Sequence, residues 1–303
     1  MIKKLFRNGS FLFGFFILFL LLLTSIVNTE YIKSDHVDAS SESWMDKPSP
    51  PSWEHPFGTA TGEDLFNLQL ANTIPTIKLA LFITFARMLI SILLGFLYGV
   101  FYKRVRWLDM VIEGYNFVPA TLLALILLFS SRYIVNDTMN SSAHWYFVAF
   151  VFIGVGILPL SQLIGKEVWL ALQNDYIQSS KVLGARKRRI IFKHVIPSIR
   201  GKLFLMLSGQ MIQVLTIMLH ITVLGFKIPG WGHFIGENYY QLMLSPWIIF
   251  FPVLLYTLLI VAITFMSNGV RDCMDQEYMV RKSTALNVNK PITPIKQLNN
   301  MNV

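Results

Sequence analysis

The chain has 303 residues, of which 54% are hydrophobic and only 14% are charged, and its mean hydropathy is +0.52. These values exclude a soluble globular domain and indicate a polytopic membrane protein. The formal net charge is +9. Because the basic residues are separated by long apolar runs, this charge predicts contact with anionic lipid rather than a nucleic-acid-binding surface.

Six apolar runs are long enough to cross a bilayer, which needs about 20 residues in a helix. We therefore predict an all-α protein with six transmembrane helices. The first run follows basic residues and resembles a signal peptide. It exceeds the usual apolar core of about 7–15 residues, however, and no small-x-small cleavage site follows it, so we expect an uncleaved anchor. The predicted spans are 11–28, 77–101, 115–135, 145–165, 203–225 and 247–268.

Orientation follows from the distribution of Lys and Arg between the two sides of the predicted spans. One side carries 20 of these residues and the other carries four. We therefore predict a multi-pass cell-membrane protein with both termini in the cytoplasm. The predicted regions are a cytoplasmic end with the first span (1–28), an extracytoplasmic loop (29–74), a transmembrane core (75–270) containing a cytoplasmic loop (166–202), and a cytoplasmic tail (271–303).

The cytoplasmic loop is strongly basic and carries the clearest local pattern. Its helical period runs to Leu183, breaks at Gly184-Ala185, and is followed by four basic residues and a short apolar run. Glycine is the residue that adopts positive φ at low cost, so we predict a chain reversal at Gly184. Proline interrupts helices, so we expect Pro197 to end the second helix at the membrane boundary.

This order of residues resembles the cytoplasmic coupling loop of bacterial ABC importer permeases, and most closely the second, C-type permease of the peptide/nickel branch. In that family two short helices meet at the glycine and dock into a groove on an ATPase. The family generally has Glu-Ala-Ala where this chain has Gln178-Ser179-Ser180, so restoring the acid should be tolerated or improve coupling. The resemblance assigns ATPase coupling to Gln178, Ser179, Ser180, Gly184, Ala185, Arg186, Phe192, His194 and Pro197.

The resemblance extends over about two-thirds of the chain or more. In the loop 29–74, His55-Pro56-Phe57-Gly58-Thr59 resembles the outer signature of peptide permeases, although Ala60 and Glu63 replace its usual aspartate and arginine. We expect this segment to form a structured lip near the docking position of a substrate-binding protein, rather than a metal site at His55. Further matches are Arg106–Asp109, Trp231-Gly232, Ser245–Trp247 and Asn268–Asp272.

Few ionisable side chains fall within the predicted spans, and a charge at that depth is costly unless it faces protein or water. Arg87 lies near the middle of its span. We weigh two roles for it equally: a group lining a translocation path or gate, and a buried partner of an ion pair or a carbonyl group at a subunit contact.

The resemblance implies the type I ABC importer permease fold and a subunit forming half of a path for peptides or a related small solute. Its implied partners are a second homologous permease, two ATPase subunits, a substrate-binding protein and membrane lipid. The chain has no phosphate-binding loop and no hydrolase motif, so we expect no enzyme activity and no cofactor here, with ATP used by the partner subunits. The alternatives are a transport-deficient sensor, a nickel or metal-chelate importer, and a secondary carrier. The carrier is disfavoured by the absence of intramembrane carboxylates and internal repeats.

Overall fold

The computed structural model describes residues 5–32, 48–60, 63–134 and 141–288, which are almost entirely helical. The elements, in chain order, are α1 (Gly9–Ile32), β1 (Thr59–Ala60), β2 (Glu63–Asp64), α2 (Leu65–Ala71), α3 (Thr73–Val100), α4 (Tyr102–Val105), α5 (Trp107–Asn116), α6 (Ala120–Ile134), α7 (Ser141–Leu172), α8 (Asp175–Val182), α9 (Lys187–Ile190), a π-helix (Ile191–Val195), α10 (Ile196–Val223), α11 (Trp231–Asn238), a 3₁₀ helix (Tyr239–Met243) and α12 (Trp247–Val288). The two short strands pair antiparallel.

The all-α, polytopic prediction is confirmed. Within the described residues, α1, α3, α7, α10 and α12 are each long and apolar enough to cross a membrane. They correspond to five of the six predicted spans. The helices α5 and α6 reach the same criterion only when taken together, so the bundle has five spans, or six if this pair counts as one.

The prediction of one continuous span at 115–135 is wrong in its geometry. The axes of α5 and α6 differ by 80°, and residues 117–119 between them are not helical. The break lies just before α6, where Pro119 disfavours helical geometry at Val118. The helix α5 approaches the bundle as a separate element, and α6 begins only at Ala120.

Two other helices extend further than the sequence predicted. The helix α7 continues to Leu172, seven residues into the predicted cytoplasmic loop, because Val168 and Ala171 still pack into a buried cluster. The helix α12 continues to Val288, well into the predicted tail. Both helices contain proline, Pro159 in α7 and Pro252 in α12, and neither is ended by it.

The helices α3 and α7 run parallel and approach closely at glycine residues. A Cβ atom at Gly95 would lie 2.7 Å from Cβ of Ile164, and one at Gly99 would lie 2.6 Å from Cβ of Val168. Small residues allow this approach because backbone can then pack directly against the neighbouring helix. A larger side chain at either glycine would separate α3 from α7.

The helices α1 and α12 pack in the same way but antiparallel. A Cβ atom at Gly14 of α1 would lie 2.8 Å from the backbone nitrogen of Met266, and one at Gly269 would lie 2.8 Å from that of Phe11. Asn8 also donates a hydrogen bond to the Asp272 carboxylate at 3.3 Å. The first helix is therefore an integral part of the bundle.

These contacts define two ends of the bundle. Lys202 at the start of α10 pairs with Glu167 near the end of α7 at 2.6 Å, and Gly201 lies against Met274 of α12. The start of α1, the end of α7, the start of α10 and residues 271–275 of α12 consequently share one end. The segment that resembles a coupling loop lies at this end as well.

The opposite end is formed by the segments that precede α3 and α12. Asn28 of α1 donates to the carbonyl of Asn67 at 2.7 Å, and the indole of the fully buried Trp231 donates to the carbonyl of Gln69 at 2.8 Å. Phe57 stacks on Phe251 with 4.2 Å between ring centroids. The residues predicted to form a lip are therefore packed on the bundle.

Candidate functional site

The basic segment between α7 and α10 folds as two short helical pieces around Gly184. The helix α8 ends in a Schellman-type turn, in which Ala185 N donates to the carbonyl of Ser180 at 3.1 Å and Gly184 N donates to that of Lys181 at 3.0 Å. Gly184 has a φ of 81°, and no atom lies within 4 Å of the position its Cβ would take. Glycine is thus required by the backbone conformation and not by crowding.

Both helical pieces are attached to the bundle by apolar side chains. Ile177 of α8 is fully buried and Ile190 of α9 is 3% exposed. They pack in one cluster with Met88, Ile164 and Val168 from α3 and α7. The two helical pieces are therefore fixed to α3 and α7 by buried apolar contacts.

The outer surface of the same segment combines apolar and basic groups. Val182 and Leu183 are 87% and 86% exposed, and Phe192 is 66% exposed. We name this set the apolar tip. Sequence reasoning missed Val182 and Leu183, although two large aliphatic residues directly before a glycine turn are unusual in a solvated loop. The neighbouring exposed cations are Lys181, Arg186, Arg188, Arg189 and Lys193.

The three residues at the site of the family's Glu-Ala-Ala motif have defined hydrogen bonds. Gln178 Nε2 donates to the carbonyl of Leu172, the last residue of α7, at 2.8 Å. The hydroxyl groups of Ser179 and Ser180 donate to the carbonyls of Asp175 and Tyr176 one turn back, both at 2.9 Å. Gln178 therefore caps the C-terminus of α7, and both serines present small, internally bonded side chains.

Pro197 does not end the second helix, contrary to the prediction. The chain passes from α9 through the π-helix into α10 without a break, and Pro197 lies in the first turn of α10. Proline there lacks an N–H donor and its ring would clash with the carbonyl four residues earlier. The wider π turn of Ile191–Val195 relieves this clash. His194 is half-buried against Tyr176 of α8, with 6.2 Å between ring centroids.

Arg87 is fully buried in the chain and joins three helices. Its guanidinium group donates to the carbonyl of Phe152 on α7, to Gln210 Oε1 at 2.9 Å and to Gln213 Oε1 at 3.3 Å on α10. The carbonyl partner of Arg87, Phe152, thus lies within the chain. Two glutamines one turn apart in an apolar span were the sequence signal for this network.

A second polar network, also missed from the sequence, centres on Asp109 of α5. Its carboxylate accepts hydrogen bonds from Tyr98 of α3, from Tyr102 at 2.8 Å and from Gln162 of α7 at 2.8 Å. Lys166 lies 3.7 Å away. The hydrogen bond to Asp109 raises the pKa of Tyr102 above its ordinary value. The network attaches α5 to α3 and α7.

The structure is a bundle of membrane-length helices with two short, basic, exposed helices joined by the Gly184 turn at one end, the arrangement expected of a membrane component of a transport system. A family model described as "Binding-protein-dependent transport system inner membrane component" matches residues 91–279, which include the whole segment around Gly184. Since the match covers more than half of the chain, the protein belongs to this family, whose members are multi-pass ABC permeases and not enzymes.

Curated relatives align over most of the chain. It is 23% identical over 286 residues to the oligopeptide transport system permease protein OppC of Haemophilus influenzae, covering 90% of this chain and 86% of that protein. It is 21% identical over 281 residues to the dipeptide transport system permease protein DppC of Alkalihalophilus pseudofirmus, covering 90% and 88%. The similarity to the inner membrane ABC transporter permease protein YejE of Escherichia coli is 27% over 233 residues, covering 75% and 65%.

Among solved structures, the inward-facing MetNI methionine ABC transporter has a similar fold. The TM-score is 0.54 at 17% identity, and the match covers 69% of this chain and 98% of the other. The predicted ABC importer permease fold is thereby confirmed.

Proposed function

We propose that this chain forms half of a peptide translocation path in an ATP-driven importer and is driven by separate ATPase subunits. The relatives named for oligopeptide and dipeptide transport align along about 90% of the chain. The observation that carries the proposal is the exposed turn at Gly184, held by the buried Ile177 and Ile190. A surface that is exposed on one side and fixed to the bundle on the other is suited to transmit motion from a docked partner.

In the proposed mechanism, ATP closes two ATPase subunits that hold the apolar tip and its neighbouring cations. Their movement displaces α8 and α9, which are attached to α3 and α7, and the bundle changes the side to which its path is open. Such a change requires that the coupling surface bind the two ATPase states with different free energies.

The proposed assembly contains a second, homologous but distinct permease, two ATPases and an extracytoplasmic substrate-binding protein. The ATPases dock at the end that carries Gly184. The substrate-binding protein docks at the opposite end, where Phe57 of the lip stacks on Phe251 of the bundle. Tagged chain purified from its host should bring both ATPases and the second permease with it. A stable, ATPase-free homodimer that transports would overturn this assembly in favour of a carrier.

We further infer that Arg87 acts on the path by fixing the orientation of the Gln210 and Gln213 side chains. Arg87 itself is fully buried, whereas Gln210 and Gln213, which accept its hydrogen bonds, are only half-buried. Amide groups held in one orientation can bind the peptide groups of a solute without placing a charge in the path.

The proposed orientation places both termini and the Gly184 turn in the cytoplasm. It is supported by the 20-to-4 distribution of Lys and Arg and by the common end shared by the start of α1, the Gly184 segment and residues 271–275. Cysteine labelling at Ser49 and Lys187, in a Cys273→Ala background, tests it because Cys273 is the free cysteine of the chain. The two positions should label from opposite sides, and labelling from one side would overturn the topology.

Uptake assays decide between transport and sensing. Membranes containing the chain with its partners should accumulate labelled di- or oligopeptides in the presence of ATP. Uptake of nickel or metal chelates in place of peptides would assign the other substrate class of this branch. If the intact complex takes up neither peptides nor nickel nor metal chelates, the result would favour a sensor that has kept the permease fold.

A further inference from the structure

A long apolar groove lies between four of the membrane helices. It has a volume of about 280 Å³ and is lined by residues of α1, α3, α10 and α12, among them Phe11, Leu22, Ile77, Phe204, Leu207 and Val270. The groove is separate from the Gly184 segment and from the Arg87 network.

The few polar atoms in the wall are already bonded within the protein. The hydroxyl groups of Ser208 and Ser267 bond to each other at 2.8 Å, and Thr84 donates to the carbonyl of Ala80 at 2.7 Å. A peptide or other polar solute would lose its hydrogen bonds to water here without replacement. The groove therefore suits a hydrocarbon chain.

The length of the groove matches one leaflet of a bilayer. Phe11 and Leu22, both in the wall, are eleven residues apart on α1, which is about 16 Å at the helical rise of about 1.5 Å per residue. The hydrocarbon core of a bilayer is about 30 Å thick, so a single leaflet spans about half of that. One acyl chain entering from one surface would extend along the groove.

Three arginines lie at the end of the bundle where α1 and α10 begin. Arg7, Arg200 and Arg271 are exposed and are respectively four, four and one residue along the chain from the lining residues Phe11, Phe204 and Val270. Each is displaced from its lining residue toward the same end of the bundle. None of the three forms an ion pair with any side chain that the structure describes. Two carboxylates of α12 are close to Arg271 in the chain: Asp272 bonds to Asn8, and Asp275 is exposed one turn further along the helix.

We propose that this groove binds one acyl chain of an anionic phospholipid and that Arg7, Arg200 and Arg271 bind its phosphate-bearing head group. Basic pockets between membrane helices at the positively charged side are suited to such head groups. The three arginines favour a phospholipid over a helix of a second permease as the occupant of the groove. A helix would fill the apolar groove without needing three cations at its mouth.

Native mass spectrometry of the purified chain in mild detergent tests the proposal, with phosphatidylglycerol as the anionic probe and phosphatidylcholine as the zwitterionic control. The parent chain should retain phosphatidylglycerol with an affinity about tenfold above that for phosphatidylcholine. Replacing Arg7, Arg200 and Arg271 together by Gln should abolish this preference. These positions are exposed, so folding should be unaffected. The matched control replaces Arg104, Arg188 and Arg189, which are exposed cations away from the groove.

A second pair of variants tests the groove itself. Leu207→Trp fills it and should remove retained phospholipid of either kind, whereas Leu163→Trp, at a 48% exposed position outside the groove, should not. Equal retention of both lipids by the parent, or a preference that survives the triple replacement, would overturn the proposal. Loss of a second permease from the Leu207→Trp complex, with lipid retention unchanged, would assign the groove to a protein interface instead.

Discussion

Gly156 of α7 lies directly against the guanidinium group of Arg87. A Cβ atom at position 156 would overlap Cζ and Nε of that arginine. The glycine therefore creates the space that lets a buried cation reach the Phe152 carbonyl and the glutamines of α10. Glycine is needed at position 156 for space and not for an unusual backbone conformation, since the residue lies within a regular helix.

The first prediction concerns this contact. Gly156→Ala should displace Arg87 from its hydrogen bonds and destabilise the bundle by about 1–3 kcal/mol, the usual effect of inserting a group into a packed core. Gly154→Ala is the matched control, because no atom lies within 4 Å of the Cβ position at Gly154 on the same helix. Thermal unfolding of the purified chain measures both, and equal Tm values would contradict the steric argument.

The second prediction separates the two roles of Arg87. Arg87→Met leaves Gln210, Gln213 and the Phe152 carbonyl without their donor and should cost about 1–3 kcal/mol. Replacing Gln210 and Gln213 by Leu in the same chain should recover most of that loss, because fully apolar replacements of buried polar groups are tolerated. The triple variant should be folded yet deficient in peptide uptake. Normal uptake by it would remove Arg87 and its glutamines from the path.

The third prediction concerns coupling at Gly184. Gly184→Val places a β-branched residue at a φ of 81° and should cost about 1–3 kcal/mol of local strain. The protein should insert normally, while peptide uptake and peptide-stimulated ATP hydrolysis fall together. Gly184→Asn is the matched control, since asparagine tolerates this conformation. A bulky residue at Ser180 should uncouple in the same way, and uptake that survives both changes would reject the coupling assignment.

The fourth prediction revises the expectation for Gln178→Glu. Glutamate cannot donate the hydrogen bond that Gln178 makes to the Leu172 carbonyl, and it adds negative charge at the C-terminus of α7, which the helix dipole disfavours. We expect the α7–α8 junction to lose about 0.5–1.5 kcal/mol of stability and peptide uptake not to increase. Amide hydrogen exchange over residues 173–182 should accelerate in Gln178→Glu and also in Gln178→Ala. Slower exchange in the glutamate variant would restore the original expectation.

The fifth prediction concerns the attachment of α5. Asp109→Asn replaces a carboxylate that accepts three hydrogen bonds by a neutral amide. The helix α5 should therefore detach from Tyr98 and Gln162. Proteolysis near residues 101–119 should become faster and the Tm should fall. Glu113→Gln is the control on the same helix, because Glu113 is exposed and pairs with Lys166 at 3.4 Å, an interaction of about 0–1 kcal/mol. Indistinguishable proteolysis of the two variants would deny Asp109 this role.

Hydropathy predicted five of the six membrane spans because each must bury about 20 residues in lipid, whereas the bend between α5 and α6 was not predicted. Glycine chemistry predicted the turn at Gly184. The sequence marked Gln210 and Gln213 as polar residues in an apolar span, but not their bonds to Arg87, which is up to 126 residues away. These bonds, like those of Asp109, depend on which helix faces pair. The prediction for Pro197 was wrong because the π-helix Ile191–Val195 lets the chain continue as a helix past the proline. This local change of backbone geometry is not visible in the sequence.

The glycine contacts described above restrict where this bundle can move. The α3–α7 pair and the α1–α12 pair are each in backbone-to-backbone contact, so neither pair can slide or separate without opening a void. In the proposed mechanism, rocking between an outward and an inward state would then take place at the seam between these two helix pairs, which α10 occupies together with the apolar groove. An acyl chain bound in that groove would lie at this seam, so its removal is expected to change the rocking while leaving the ATPase contact at Gly184 intact.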